Sequence, residues 1–418
     1  MDVANTKPPL PLTLIVYCLG IAAMLPWNFF ITCDSFWQYK LRNVTLGDDW
    51  DTSNATMTVL QVSFMPTLVV ISNLFCTIFL FFTSWIVTRV SEQIRVVAAL
   101  VVMIVVMITI TIMAVVPTDS WQTVFYGIVM LLVAILNMFE AVYQGSLYGI
   151  AGVLPSACTN ALTSGMAVAG VLSSIAQIVS LAIGDADPIT SGLVFFLIAD
   201  VFLVLSLILY YSMRRMDFYK LCKQENQNKR VAQSPKTRNA YWIVFKKIWW
   251  QSFTLGLGLM ITLSIYPAMQ LYVTSTTPDG AWKNIYFQPT ITFLLFNIGD
   301  VLGREMPRWI RWPGSRGWKL PVLCGSRVLL LVAIMFCHGD DKTFPILFYN
   351  DAWYIIFNAL FGLTNGYFGC LPLIYYPEFV EAEEVELAGT IMGAVMGAGM
   401  VIGSFLSPAF VAIWGPNF

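Results

Sequence analysis

The chain has 418 residues, of which 58% are hydrophobic and only 11% charged, with a formal net charge of −1 and a mean hydropathy of +0.72. A soluble domain carries about 25% charged residues, so this composition excludes a string of soluble domains and points to one polytopic membrane unit. It also argues against nucleic-acid binding, and a single histidine, His338, with no HExxH, GxSxG or P-loop pattern, argues against an enzyme and a membrane metalloprotease in particular.

The first twelve residues carry little positive charge, and the apolar run behind them is long enough to span a bilayer. This predicts a retained first helix rather than a cleaved signal peptide. Apolar windows of about 20 residues, bounded by charge or by Pro and Gly, recur along the chain. They predict helices near 11–33, 58–88, 94–116, 121–151, 157–183, 190–213, 243–273, 285–307, 320–337, 353–376 and 387–414. The expected fold is therefore all-α and polytopic, with about eleven spans. A basic segment, 214–242, divides a first half of six helices (1–213) from a second half of five (243–418). It lacks apolar periodicity from about Gln224 to Asn239 and reads as a flexible linker. Two helical halves on a long loop suit a transporter working by alternating access.

Charge orients the spans. Most Lys and Arg fall on one side: Arg89 and Arg95, the run from Arg214 to Lys247, and Arg304, Arg308, Arg311, Arg316 and Lys319. The other side has Lys40, Arg42, Lys283 and Lys342. The positive-inside rule makes the basic side cytoplasmic, which predicts a cytoplasmic N-terminus and an extracellular C-terminus. The first loop, acidic and on the outer side, holds two glycosylation sequons, at Asn43 and Asn54. The eight cysteines are scattered without metal spacing and read as small packers, so no metal and no cofactor is expected.

Polar groups inside the spans are the candidate site. Asp300 and Arg304 stand four apart in an apolar stretch and share a helical face, with Asn297 one turn before Asp300. Each such charge costs about 2.5–3.5 kcal/mol at a bilayer centre, so an intramembrane ion pair reads as a substrate or ion path. The first helix offers Trp27 and Asn28 just after Pro26, where the helix lacks a backbone donor. Trp27 reads equally well as an interfacial anchor. The fourth helix carries Glu140 and Gln144 on one face, the ninth carries Arg327, and the sixth carries Asp200. Aromatic, amide, carboxylate and guanidinium groups together suit a flat, neutral, hydrogen-bonding solute. The small residues of the last helix, Gly393, Gly397, Gly399 and Gly403, read as packing positions.

With these residues in view, the chain resembles the equilibrative nucleoside transporter family. The resemblance rests on LPWNFF from Leu25, YQGSLYGIAGVLP from Tyr143, YPA from Tyr266, FNIGDVLGR from Phe296, TNGY from Thr364 and ELAGTIMG from Glu386, which span both halves. It implies a major-facilitator-like fold and facilitated diffusion of nucleosides such as adenosine and uridine, and of nucleobases, across the plasma membrane or an intracellular one. Carried over by motif, Trp27 lines the path, Asn28 supports the bend and Gln144 bonds the base. Asp300 and Arg304 bond the ribose hydroxyls and Asn297 braces them. Arg95 is an inner-gate arginine with Glu386 as its acidic partner. Glu140 departs from the pattern of many animal members. A carboxylate one turn from Gln144 opens an alternative within the same fold, a transporter of organic cations such as monoamines or one coupled to protons. A receptor that binds nucleoside without moving it is the third reading.

Overall fold

The structure, a computed structural model, describes residues 7–45, 57–86, 89–183, 187–230, 239–315, 317–340, 342–381 and 384–415. The regular secondary structure of the described residues is helical, apart from one isolated bridge between Cys337 and Phe348. The first half contributes α1 (Leu10–Thr32), the short α2 (Asp34–Lys40), α3 (Val59–Ile86), α4 (Glu92–Val115), α5 (Gln122–Ala151), α6 (Ser156–Ile183) and α7 (Pro188–Arg215). Two helices follow beyond the bilayer spans, α8 (Asp217–Arg230) and α9 (Asn239–Lys247). The second half has α10 (Trp249–Ile265), α11 (Phe296–Glu305), α12 (Lys319–Gly325), α13 (Arg327–Met335), α14 (Asp351–Tyr375) and α15 (Val385–Trp414).

Ten helical stretches among the described residues are long and apolar enough to cross a membrane. The span expected at 320–337 is two short helices, α12 and α13, broken at Ser326. The span expected at 243–273 is also shorter. It breaks at Ile248 and ends at Ile265, because Tyr266 precedes Pro267 and takes an extended conformation. The linker reading changes most. Residues 217–230 form α8, which is docked by buried Tyr219 and Cys222. The Tyr219 hydroxyl donates to Glu92 Oε1 at 2.7 Å, and Lys223 Nζ lies 3.1 Å from Glu92 Oε2. One apolar turn (Tyr219, Cys222) among polar residues was enough to fasten a helix that the polar average concealed. Of the rest of that expected linker, 214–215 end α7, 239–242 open α9, and 231–238 lie outside the described residues.

Packing follows a repeat. In the first half the first and fifth long helices pack together (α1 with α6), as do the second and fourth (α3 with α5). The second half repeats both pairs, α10 with α15 and α11 with α14. The contacts between halves exchange the same positions: α3 meets α15, and α6 meets α11. An internal two-fold relation of this kind puts α3 and α6 of the first half at the seam, against α15, α11 and the segment leading into α11 in the second.

Candidate functional site

The site is built on α11 and the wide-turned segment leading into it, Gln288–Leu295, which is π-helical. Wide turns loosen backbone carbonyls. Asn358, fully buried on α14, binds two of them: its Nδ2 donates to Ile291 O at 2.6 Å and Thr292 O at 3.3 Å. The Thr292 hydroxyl pairs with Tyr354 of α14 at 2.9 Å. One turn further on, α11 and α14 come into backbone contact. A Cβ added at Gly299 or Gly303 would strike the α14 backbone near Leu363, and one at Gly362 or Gly366 would strike the carbonyl of Phe296 or Asp300. Two GxxxG spacings, Gly299 with Gly303 and Gly362 with Gly366, therefore face each other. The spacing was legible in the chain; their facing was not.

This crossing sets the ion pair. Arg304 Nε donates to Asp300 Oδ2 at 2.7 Å, with 44% of the Arg304 side chain exposed against 9% for Asp300. Asp300 is thus the deeper charge, and Arg304 reaches outward with Tyr148 and Cys370 in electrostatic range. The second Asp300 oxygen accepts from Asn365 Nδ2 at 2.6 Å. In the chain Asn365 stands out only as part of TNGY; its bond to Asp300 depends on α14 lying against α11.

Arg327, 1% exposed, lies in a cradle without a carboxylate. Its Nη1 donates to Gly258 O (2.9 Å), its Nε to Thr364 Oγ1 (3.1 Å), and its Nη2 to Thr262 Oγ1 (2.8 Å), Phe361 O (3.2 Å) and Asn365 Oδ1 (3.4 Å). The guanidinium also sits over the Phe361 ring at 4.7 Å. Thr262, one of several hydroxyl residues on a largely apolar helix, carried no signal in the sequence.

The remaining candidates separate. Asn297 does not reach the ion pair. Its Nδ2 donates to Gly170 O (3.2 Å) and Ser174 Oγ (3.3 Å) on α6, so it links the two halves instead of bracing Asp300. Trp27 is half-buried against the core, and Asn28 Nδ2 returns to Met24 O at 2.7 Å on its own helix, beside Pro26. Gln144 is buried on α5, and no hydrogen bond joins its side chain to another described residue. Glu140, one turn away and 4% exposed, has Oε2 buried without a partner, with Cys76 of α3 in electrostatic range. Arg327 is therefore not its counter-ion. Arg95 is buried with Nε and Nη1 unpartnered. The side chain of Glu386 lies outside the described residues, as does Asn54. Asn43 is partly exposed and accepts from Thr45 N at 3.1 Å and Thr45 Oγ1 at 2.7 Å. Asp200 Oδ2 accepts from Thr111 Oγ1 of α4 at 2.7 Å, while its Oδ1 is buried without a partner. His338 joins two loops through Thr274.

The fold and this charge pair can be set beside known proteins. Residues 129–240 and 224–412 match the family model described as nucleoside transporter. The chain is 31% identical to equilibrative nucleoside transporter 2 of Rattus norvegicus, covering 95% of this chain and 96% of that protein. It is 28% identical to equilibrative nucleoside transporter 1 of Homo sapiens, covering 96% of each. Among solved structures, the nucleoside transporter NupG aligns over 96% of this chain and 94% of its own, with a TM-score of 0.61 and 12% identity. A POT family transporter aligns over 96% and 92%, with a TM-score of 0.61 and 10% identity. At such identities these two likenesses speak for the fold, which is major-facilitator-like. The extent and level of sequence identity go further: the chain belongs to the equilibrative nucleoside transporter family.

Proposed function

We propose that the protein carries nucleosides down their gradient by rocking of a six-helix and a five-helix half around the Asp300–Arg304 pair. The observation that carries this reading is the pair itself, with Asp300 buried and Arg304 turned outward at the seam between the halves. An arginine with spare donors beside a carboxylate with a spare lone pair suits a vicinal diol, which both donates and accepts. The repeated helix pairing supports the rocking, because each half packs mainly on itself. In this reading α12 and α13 together make the eleventh span. The basic end carrying α8 and α9 faces the cytoplasm, and the loop with Asn43 and Asn54 faces outward at the plasma membrane. Gln144 binds the base, Trp27 lines the path beside Asn28, Asn297 couples α11 to α6, and Arg95 with Glu386 closes the inner end. Uptake of labelled uridine in a nucleoside-transport-deficient cell tests it. Asp300→Ala and Arg304→Ala are each expected to abolish uptake while surface protein persists, and survival of uptake in both sinks the assignment.

One observation favours a second reading. Glu140 Oε2 is buried beside Gln144 without a partner, and such a carboxylate has room to take a proton or a solute ammonium. In that case the same fold moves protonated amines, or couples nucleoside movement to protons.

A further inference from the structure

We infer that Arg327 is a positioning residue for the ribose site, acting on Asp300 through Asn365. This rests on the reading of Asp300 and Arg304 as the ribose site.

Arg327 has no carboxylate of its own, and the acid within its electrostatic range is Asp300. Between them stands one amide. Asn365 Oδ1 accepts from Thr262 Oγ1 at 2.7 Å and from Arg327 Nη2 at 3.4 Å, while its Nδ2 donates to Asp300 Oδ1 at 2.6 Å. The chemistry allows only this orientation. Turned over, the amide would set its oxygen against a carboxylate oxygen and its N–H groups against an arginine. Arg327 and Thr262 therefore fix the amide, and the amide holds Oδ1 of Asp300. Oδ2 is left to Arg304 at 2.7 Å. Thr262 is itself held in place, since its oxygen accepts from Arg327 at 2.8 Å and its one proton is shared between Asn365 Oδ1 at 2.7 Å and Gly258 O at 2.9 Å.

The consequence is a division of labour between two arginines. One aspartate answers both, but only Arg304 touches it directly and only Arg304 reaches the seam. Arg327 spreads its donors over Gly258 O, Phe361 O, Thr262 and Thr364 on α10 and α14, which locks it. A locked, buried cation two bonds away keeps Asp300 turned so that a diol meets the same carboxylate edge at every cycle. Arg327 sets the discrimination for ribose hydroxyls and not the rate of rocking.

The test compares uridine with 3′-deoxyuridine, measuring KM and maximal uptake per surface transporter. Asn365→Ala leaves four of the five Arg327 contacts in place and removes the bridge. Thr262→Val removes one of the two anchors of the amide. Asn365→Ala is expected to lower the KM preference for uridine about tenfold, the scale of one hydrogen bond to a charged group, with maximal uptake nearly unchanged. Thr262→Val is expected to shift it in the same direction by less. Arg327→Lys, which replaces a planar fork by a point charge, is expected to behave like Asn365→Ala wherever it reaches the surface. A preference for uridine that is unchanged in Asn365→Ala and Thr262→Val overturns the proposal, as does an equal fall in maximal uptake of both solutes without a KM shift. Asp300→Asn and Arg304→Lys are measured alongside. If they too leave the preference unchanged, the ribose-site reading has failed; if they alone change it, only the role of Arg327 has failed.

Discussion

Glu140 is the residue whose surroundings explain it least. A buried carboxylate oxygen without a donor costs about 1–3 kcal/mol or more if charged, and the neighbouring side chains supply no cation: Arg327 is occupied on α10 and α14, and Arg304 by Asp300. Asp200 is a partial parallel. It too is an intramembrane acid with one buried oxygen, Oδ1, that lacks a partner, but Thr111 of α4 gives its Oδ2 a donor at 2.7 Å. If Glu140 exchanges a proton during transport, uridine uptake compared at pH 5.5 and 7.5 will differ for the native chain, and Glu140→Gln will flatten the difference. The same pH profile in both would show that Glu140 serves only structure. Competition by serotonin against adenosine separates the amine form of this reading from the nucleoside one.

At the scale of elements, the contact of α11 with α14 decides where the site lies. Four glycines bring the two backbones together, and Asn358, Gly362, Asn365 and Gly366 recur at the spacing of one α14 face. Wide turns before α11 would leave carbonyls unpaired; Asn358 binds them and so sets where the helix, and with it Asp300, begins. Gly303→Ala would drive a methyl group into the Leu363 carbonyl and the Tyr367 amide. Overpacking of this kind costs about 1–3 kcal/mol, and we expect a lower melting temperature in detergent together with loss of uptake. Gly393→Ala is the internal control, since nothing lies within 4 Å of the added Cβ. It belongs to a GxxxG spacing that the sequence alone treats as equal to the others, and it is expected to be neutral. Equal melting of the two variants would mean that the α11–α14 crossing is not a close one.

Taken as a whole, the molecule is two packed halves with exchanged contacts between them, and its ends differ. At the end carrying the first loop, α2 is fastened by Lys40 Nζ to Val116 O at 2.8 Å and by the forked Arg42–Asp119 pair, both bonds at 3.0 Å. Asp34 opens α2 and is buried, with Gln38 donating at 3.3 Å and with Cys33 and Tyr272 of the second half in electrostatic range. Burial pushes its carboxyl up from 3.8 to about 6. The folded chain then holds a proton that the unfolded chain has released between those values, so this group stabilises the fold most at low pH and its contribution is lost as pH rises through about 6. Between pH 5 and 7 the difference amounts to about 1 kcal/mol. Asp34→Asn should remove that part of the pH dependence of the melting temperature, measured in detergent at both pH values; an unaltered slope would place Asp34 in water.

The sequence by itself determined the all-α membrane class, the positions of most spans and the presence of an intramembrane ion pair. Runs of apolar residues and i,i+4 charges are local properties, and the bilayer makes them nearly obligatory. The end of α10 before Pro267 also follows from local chemistry, but the apolar run to Val273 hid it and the expected span ran on to 273. Partners across helices were decided only by the tertiary structure. Asn297 shares a helical face with Asp300 by its spacing, and the family resemblance made it a brace, yet the approach of α6 draws it to Gly170 and Ser174. Asn365, 65 residues from Asp300, is the group that holds it. Arg327, an intramembrane charge whose partners the sequence did not indicate, is bound by carbonyls and hydroxyls of α10 and α14. Side-chain direction on one helix follows from the 3.6-residue turn, but which group meets it depends on how a second helix crosses. Here that crossing is set by glycines that bring backbones, and with them Asp300, Asn365 and Arg327, into reach.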